Sequence, residues 1–227
     1  GYEPMGVRLD SGDLAYLSRM CRRMLDEAGF PNAKICASSD LDEQIIRDLR
    51  QQGACIDTWG VGTKLITSEN CPALGGVYKL AEVERHGKMQ PRIKISENFW
   101  KITNPGYKKV VRIYDGATEK AIADLIMLDH EQIDVSRPLT IFDPVETWKR
   151  MTISNYYIKE LLVPIFQGGK QVYESPGMMA SRDYAKKDLD TFWAEYRRPY
   201  RPHIYKVDLS QELFDLKHEL LGESARH

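Results

Sequence analysis

Gly6-Val7-Arg8-Leu9-Asp10-Ser11-Gly12-Asp13-Leu14 is a short apolar strand that ends abruptly in charge and glycine and then opens a helix. In an extended segment side chains alternate with period two, so Arg8 and Asp10 share one face and Val7 and Leu9 the other. Burying either charge alone is costly. Two readings follow: a capped turn with one structural ion pair, or two charges aimed at a charged ligand beyond the carboxyl end of the strand. Ser11, Gly12 and Asp13 fit a tight turn in which a side-chain oxygen accepts from the first free N–H groups of the helix.

Outward from this stretch the pattern repeats. Leu14, Leu17, Cys21, Met24, Leu25 and Ala28 recur at helical spacing, and Gly29 and Pro31 close the helix. Lys34-Ile35-Cys36-Ala37 is a second strand ending in Ser38-Ser39-Asp40, where Asp40 and Glu43 are expected to cap a helix carrying Leu41, Ile45 and Leu49 and stopped by Gly53. A third strand, Cys55–Trp59, runs into Gly60-Val61-Gly62-Thr63-Lys64. Strands alternating with helices of this length imply parallel strands and right-handed crossovers, which put all three polar loops at one carboxyl edge. Parallel α/β folds bind ligands at that edge. The loops offer Arg8, Asp10, Ser11, Asp13, Ser38, Ser39, Asp40, Gly60, Gly62, Thr63 and Lys64. Their glycines let backbone N–H groups approach a phosphate. Carboxylates are compatible with a phosphate when magnesium intervenes, so Asp10 and Asp13 are candidates for holding magnesium diphosphate or sugar hydroxyls.

The βα rhythm then stops. A strand at Val77–Val83 and a turn at His86-Gly87-Lys88 read as a hairpin returning through Arg92–Ile95. Lys101–Lys109, with Asn104-Pro105-Gly106, is expected to be a solvated basic loop. Val110–Tyr114 and Ala121–Leu128 read as antiparallel strands about Asp115-Gly116, and Leu161–Tyr173, broken by Pro164 and Gly168-Gly169, as a further extended pair. Ser175-Pro176 or Ser181 is expected to cap a helix with a Leu189, Phe192, Trp193, Tyr196 core stripe, ended by Pro199 and Pro202. Tyr205–Leu209 is a last strand, with Ser210 capping a helix that buries Leu213, Leu216 and Leu220 and stops at Gly222.

The composition narrows the partners. A formal charge of -1 over 227 residues implies no face-wide positive field, which argues against nucleic acid or an anionic membrane. The longest apolar runs, such as Ile122–Leu128, are too short to cross a bilayer, and no signal peptide opens the chain; the expected compartment is the cytoplasm. Cys21, Cys36, Cys55 and Cys71 lack paired spacing for zinc or a redox dithiol and are expected to be reduced and mostly buried. His86, His130, His203, His218 and His227 lie away from the three loops in sequence, so histidine catalysis from within the chain is not expected. Gly1 in place of a Met start suggests a piece of a longer chain.

Val7-Arg8-Leu9-Asp10-Ser11-Gly12-Asp13, Ala37-Ser38-Ser39-Asp40-Leu41-Asp42, Gly60-Val61-Gly62-Thr63 and Leu74-Gly75-Gly76-Val77-Tyr78-Lys79-Leu80, in that order, resemble the nicotinate phosphoribosyltransferases. The likeness continues through Arg92-Ile93-Lys94-Ile95-Ser96 and Asn104-Pro105-Gly106-Tyr107-Lys108, so the chain is similar to the carboxyl-terminal part of that enzyme. The resemblance implies an α/β fold: a partial, irregular (β/α) barrel of type II phosphoribosyltransferase kind over 1–100, followed by a smaller α+β region over 101–227. It implies formation of nicotinate mononucleotide and pyrophosphate from nicotinate and phosphoribosyl pyrophosphate, with magnesium and with ATP as co-substrate, in an enzyme whose full-length form is a homodimer.

By the same resemblance Arg8, Asp10 and Asp13 are the catalytic set: Arg8 contacts nicotinate or the phosphates, and Asp10 and Asp13 contact the ribose and its magnesium. Gly60, Val61, Gly62 and Thr63 hold the 5-phosphate, Ser38 and Ser39 line the sugar pocket, and Ser11, Gly12 and Asp40 complete the substrate loops. The phosphorylated histidine through which the family couples ATP lies upstream of the Arg-Leu-Asp-Ser-Gly-Asp motif and is absent here. The chain alone is therefore expected to be inactive. Competing expectations are a nicotinamide or quinolinate phosphoribosyltransferase, or a non-catalytic phosphate-binding or oligomerisation module whose loops are plain caps.

Overall fold

A computed structural model describes residues 4–98 and 101–224. Gly1 and His227 lie outside the described residues. The chain forms two compact units, Gly1–Val77 and Tyr78–His227, so the hairpin after the βα units groups with the second unit and not with the first, where the 100/101 boundary would put it.

In the first unit β1 (Gly6–Leu9), α1 (Leu14–Glu27), β2 (Lys34–Ala37), α2 (Glu43–Gln51), β3 (Thr58–Trp59) and α3 (Thr63–Ile66) follow in order. The three strands form a parallel sheet in the order β1-β2-β3, with Gly6 opposite Lys34 and Ala37 opposite Trp59. The expected βαβ layout is therefore observed, and all three loops leave the same edge. Leu14, Ala15, Ala37, Leu41 and Leu49 form the core, with Leu9, Ile45, Trp59 and Val61 packed on it.

Three local expectations are corrected. The buried face of α1 is Leu14, Ala15 and Ser18, while Met24 is 62% exposed. Ser18 earns its place by donating to the Ala15 carbonyl and accepting the Cys55 N–H, both at 3.1 Å, which ties α1 to the third strand's approach. α2 is capped by Asp42, which takes the N–H groups of Gln44 and Ile45, and not by Asp40. Ser39 and Asp40 lie at positive φ (104° and 44°), so the chain turns there and reaches the extended capping conformation two residues later. β3 is two residues long because the Asp57 carboxylate, not a backbone carbonyl, accepts the Ile35 N–H at 2.9 Å.

The second unit begins with the hairpin β4 (Glu82–Arg85) and β5 (Lys88–Pro91), turned at His86-Gly87 with φ of 54° and 74°. Two left-handed residues are what a two-residue hairpin turn requires. β4 is shorter than the expected Val77–Val83, and the return strand β5 ends before Arg92–Ile95, where it was expected.

The main sheet joins β6 (Lys108–Asp115), β7 (Ala121–Leu128), β10 (Tyr156–Glu160) and β13 (Lys206–Leu209) in the order β10-β6-β7-β13, with β13 parallel to β7 and the other pairs antiparallel. A further hairpin, β8 (Leu139–Phe142) and β9 (Arg150–Ile153), sends Ile141 and Ile153 onto Val111, Ile113, Ala123, Leu125 and Met127. Neither β8, β9 nor β10 is foreseen in the sequence. On the other face Leu213 of α5 (Gln211–Ser224) packs with Leu128 and Leu209.

Small strands β11 (Phe166–Gln167) and β12 (Lys170–Gln171) flank Gly168-Gly169 as expected. α4 (Gly177–Asp190) departs from expectation: Pro176 is at its N-cap, no side chain caps it, and none of its residues is buried. Phe192 and Trp193 fall after its end, and Tyr196 lies in the short 3₁₀ turn Ala194–Arg197. The basic stretch around Asn104-Pro105-Gly106 is not solvated throughout: Pro105 is fully buried and Asn104 accepts from the buried Lys217 ammonium at 2.8 Å. Apolar contact outweighs local charge there because the turn fills the space beside Leu128 and Leu216. α5 runs past Gly222 to Ser224. The four thiols are free but not buried: Cys21, Cys36 and Cys55 are half-buried and Cys71 is exposed. Among the described residues no helix is long and apolar enough to cross a membrane.

Candidate functional site

At the carboxyl edge of the first unit's sheet the loops are joined by specific contacts. The Ser38 hydroxyl, at the end of β2, donates to Asp10 Oδ1 at 2.7 Å, and Asp10 Oδ2 lies 3.4 Å from the Arg8 guanidinium. Arg8 and Asp10 are 66% and 59% exposed, so this ion pair is held loosely and yields to a ligand at small cost. The third loop closes on the same point, since a side chain at Gly60 would meet Ser38 Cβ at 3.3 Å and the Ala37 carbonyl at 3.5 Å. Glycine lets one loop approach the next there without pushing Ser38 aside. Arg8, Asp10, Ser38 and Gly60 are thus brought together as expected.

The other candidates are deployed differently. Asp13 caps α1, Oδ1 accepting the Tyr16 N–H at 2.9 Å, as the turn chemistry implies. Ser11 and Gly12 form the turn, Gly12 at φ 82°. Ser39 and Asp40 are exposed in left-handed backbone, a conformation costing roughly 1–3 kcal/mol per non-glycine residue. Val61 packs its side chain into the core, leaving its backbone for any ligand. Gly62 and the exposed Thr63 open the one-turn helix α3.

Lys64 is not free for a phosphate, because its ammonium bonds Asp42 at 2.9 Å and lies 3.9 Å from Glu69. That pair borders a cleft of about 410 Å³ with Leu41, Ile46 and Leu65. The Asp42–Lys64 link was invisible in the sequence, which offered both residues but no reason to pair positions 22 apart.

The Lys64 ammonium and the Ile45 N–H hold the Asp42 carboxyl below its usual range, and the Ile35 N–H and Lys34 do the same for Asp57. A lowered folded pKa gives stability that is complete above the ordinary carboxylate range and is withdrawn as the pH falls through it. Acid is therefore expected to loosen the first unit, and Asp57→Asn to blunt that response; hydrogen exchange at the Ile35 amide, measured near neutrality and in acid, reads it.

Asp10 and Asp13, the two carboxylates that the family resemblance implies for magnesium, are both exposed. Among the described residues no group of three or more His, Cys, Asp or Glu side chains is placed to hold a metal. Hard oxygen donors of this number suit magnesium that takes its remaining ligands from substrate phosphates and water.

Known proteins resemble this chain over nearly its whole length. Residues 107–217 match the family "Nicotinate phosphoribosyltransferase C-terminal domain". A nicotinate phosphoribosyltransferase of Bacillus subtilis is 48% identical over 219 residues, covering 96% of this chain and 45% of the relative; one of Dictyostelium discoideum is 34% identical, covering 99% and 40%. The crystal structure of human nicotinic acid phosphoribosyltransferase superposes with a TM-score of 0.74 at 26% identity, covering 96% of this chain and 40% of that one. The chain thus spans less than half the length of these relatives. By sequence and by its mixed α/β fold, the chain belongs to the carboxyl-terminal part of the nicotinate phosphoribosyltransferase family.

Proposed function

We propose that the chain is the carboxyl-terminal part of an enzyme that joins nicotinate to phosphoribosyl pyrophosphate, forming nicotinate mononucleotide and pyrophosphate for NAD biosynthesis, with ATP as a coupled co-substrate. The observation that supports this most is the convergence of three βα loops through Ser38, which touches Asp10 of the first loop and abuts Gly60 of the third. In this reading the first unit is one side of an irregular (β/α) barrel. The full-length enzyme acts as a homodimer in the cytoplasm.

The chemistry needs charge placement more than proton transfer, because pyrophosphate is a good leaving group and the sugar becomes cationic as it departs. The Arg8 guanidinium turns from Asp10 to the nicotinate carboxylate or the diphosphate. Asp10, oriented by Ser38, accepts a ribose hydroxyl and lies near the developing positive charge. Asp13, fixed by its cap, would hold magnesium together with Asp10, and Ser11, Gly12, Ser39 and Asp40 frame the sugar. The backbone of Gly60, Val61 and Gly62, with the Thr63 hydroxyl, receives the 5-phosphate. Magnesium, when bound with substrate, offsets the charge of the diphosphate. The left-handed Ser39 and Asp40 are explained as the cost of holding this loop open for the sugar.

Calorimetric titration with magnesium phosphoribosyl pyrophosphate tests the reading. Asp13→Asn preserves an acceptor for the α1 cap but removes the charge, so the fold stays intact and affinity should fall about ten- to hundredfold, the worth of one charge-assisted contact. Equal binding by parent and variant would overturn the role of Asp13. Because the chain alone is proposed to be inactive, release of nicotinate mononucleotide by it would overturn that part.

A further inference from the structure

The second unit carries a cleft of about 820 Å³ that the reaction above does not use. One wall is a single face of α4, where Arg182, Lys186 and Leu189 are spaced at helical intervals. The floor is aromatic: Phe192, Tyr196 and Tyr205 line the cleft, with Tyr205 edge-to-face on Phe192 at 5.0 Å and on Tyr196 at 5.3 Å.

That floor is rigidly built. The Tyr205 hydroxyl donates to Asp124 at 2.9 Å, and the Arg112 guanidinium, paired in two bonds with Asp124, lies 4.7 Å from the Phe192 ring centre. The rim is basic. Arg197 is matched by Asp190 at 2.9 Å, whereas Arg182 and Lys186 make no ion pair among the described residues. Leu189, 56% exposed, stands at the mouth. Two cations without a carboxylate partner thus line the same cleft as the fixed rings. A flat ring stacking on the floor with a diphosphate reaching the two cations would satisfy both parts, and the volume suits a ligand of that size.

We propose that this cleft between α4 and the Phe192–Tyr196–Tyr205 floor is a binding site for a nucleoside diphosphate. The site lies wholly within the second unit and does not depend on the phosphoribosyl reading.

The test is a titration of the methyl-labelled chain with ADP, followed at the Ala185 and Leu189 methyls, with the Leu9 and Leu41 methyls reporting separately on the first unit. ADP is expected to shift Ala185 and Leu189 saturably. In Arg182→Glu/Lys186→Glu, two exposed changes that leave the fold intact, the affinity should drop about tenfold or more. Tyr196→Leu should weaken ADP about fivefold while leaving pyrophosphate unaffected. Absent shifts at millimolar ADP, shifts unchanged in the charge-reversed variant, or pyrophosphate binding as tightly as ADP would each overturn the proposal. Shifts confined to Leu9 and Leu41 would also overturn it, and would locate nucleotide binding at the first unit instead.

Discussion

Gly6→Ala is expected to separate β1 from β2 and break up the edge where the first unit's three loops meet. An added Cβ would lie 2.2 Å from the Lys34 carbonyl oxygen and 2.9 Å from its carbon, both backbone atoms, so the strands themselves must part. The parallel ladder starts at this pair, and the Ser38 N–H to Leu9 carbonyl bond at 2.9 Å closes its far end. We expect a loss of about 3 kcal/mol or more, at the upper end for single substitutions. Loss of protection at the Ile35 and Ala37 amides measures it, and the phosphoribosyl pyrophosphate binding proposed above should be lost with it because Asp10 and Ser38 no longer meet. Gly76→Ala, where a side chain meets nothing within 4 Å, is the control and should change neither. Native-like protection in Gly6→Ala would show that the close approach does not set the sheet.

Arg112→Leu is expected to cost the second unit about 3–5 kcal/mol. Arg112 and Asp124 are directly opposite on β6 and β7, are 12% and 13% exposed, and share two hydrogen bonds of 2.8 and 3.0 Å; Arg112 also reaches Asp188 at 3.0 Å. Burial opposes the guanidinium's charge, yet the bonds to Asp124 hold its pKa above the ordinary value. Without Arg112 the Asp124 carboxylate is left charged in a nearly dry site, with the Tyr205 hydroxyl still donating to it. Arg112→Leu/Asp124→Leu, which removes the orphaned charge as well, should recover most of the deficit. Urea unfolding of the three chains decides; a double variant no better than the single one would mean that the pair, and not the orphaned charge, supplies the stability.

The first unit was largely legible from local chemistry. Helical spacing after Asp13, the Gly29-Pro31 stop and the apolar Lys34–Ala37 run each act within a few residues, and the observed β1, α1 and β2 follow them. The cap of α2 was misplaced by two residues because Asp40 and Asp42 have the same chemistry. Backbone conformation, positive at Asp40 and extended at Asp42, chose between them. In the second unit, β10 pairs with β6 across more than forty positions, and Arg150–Ile153 is exposed except at Ile153; strands of that kind leave little alternation to read. The 182, 186 and 189 face of α4 has helical spacing, but only its placement over Phe192, Tyr196 and Tyr205 makes a cleft.

The sequence alone determined the order of the βα units and hence which loops share an edge, because handed crossovers leave no other arrangement. It also carried the family, through four ordered motifs. The tertiary structure decided how those loops were spent: Ser38 on Asp10, Asp13 on a helix cap, Lys64 on Asp42 and not on a phosphate. The physical reason is that a polar side chain bonds whatever lies within about 3 Å, and that distance is set by packing between segments, not by spacing along the chain.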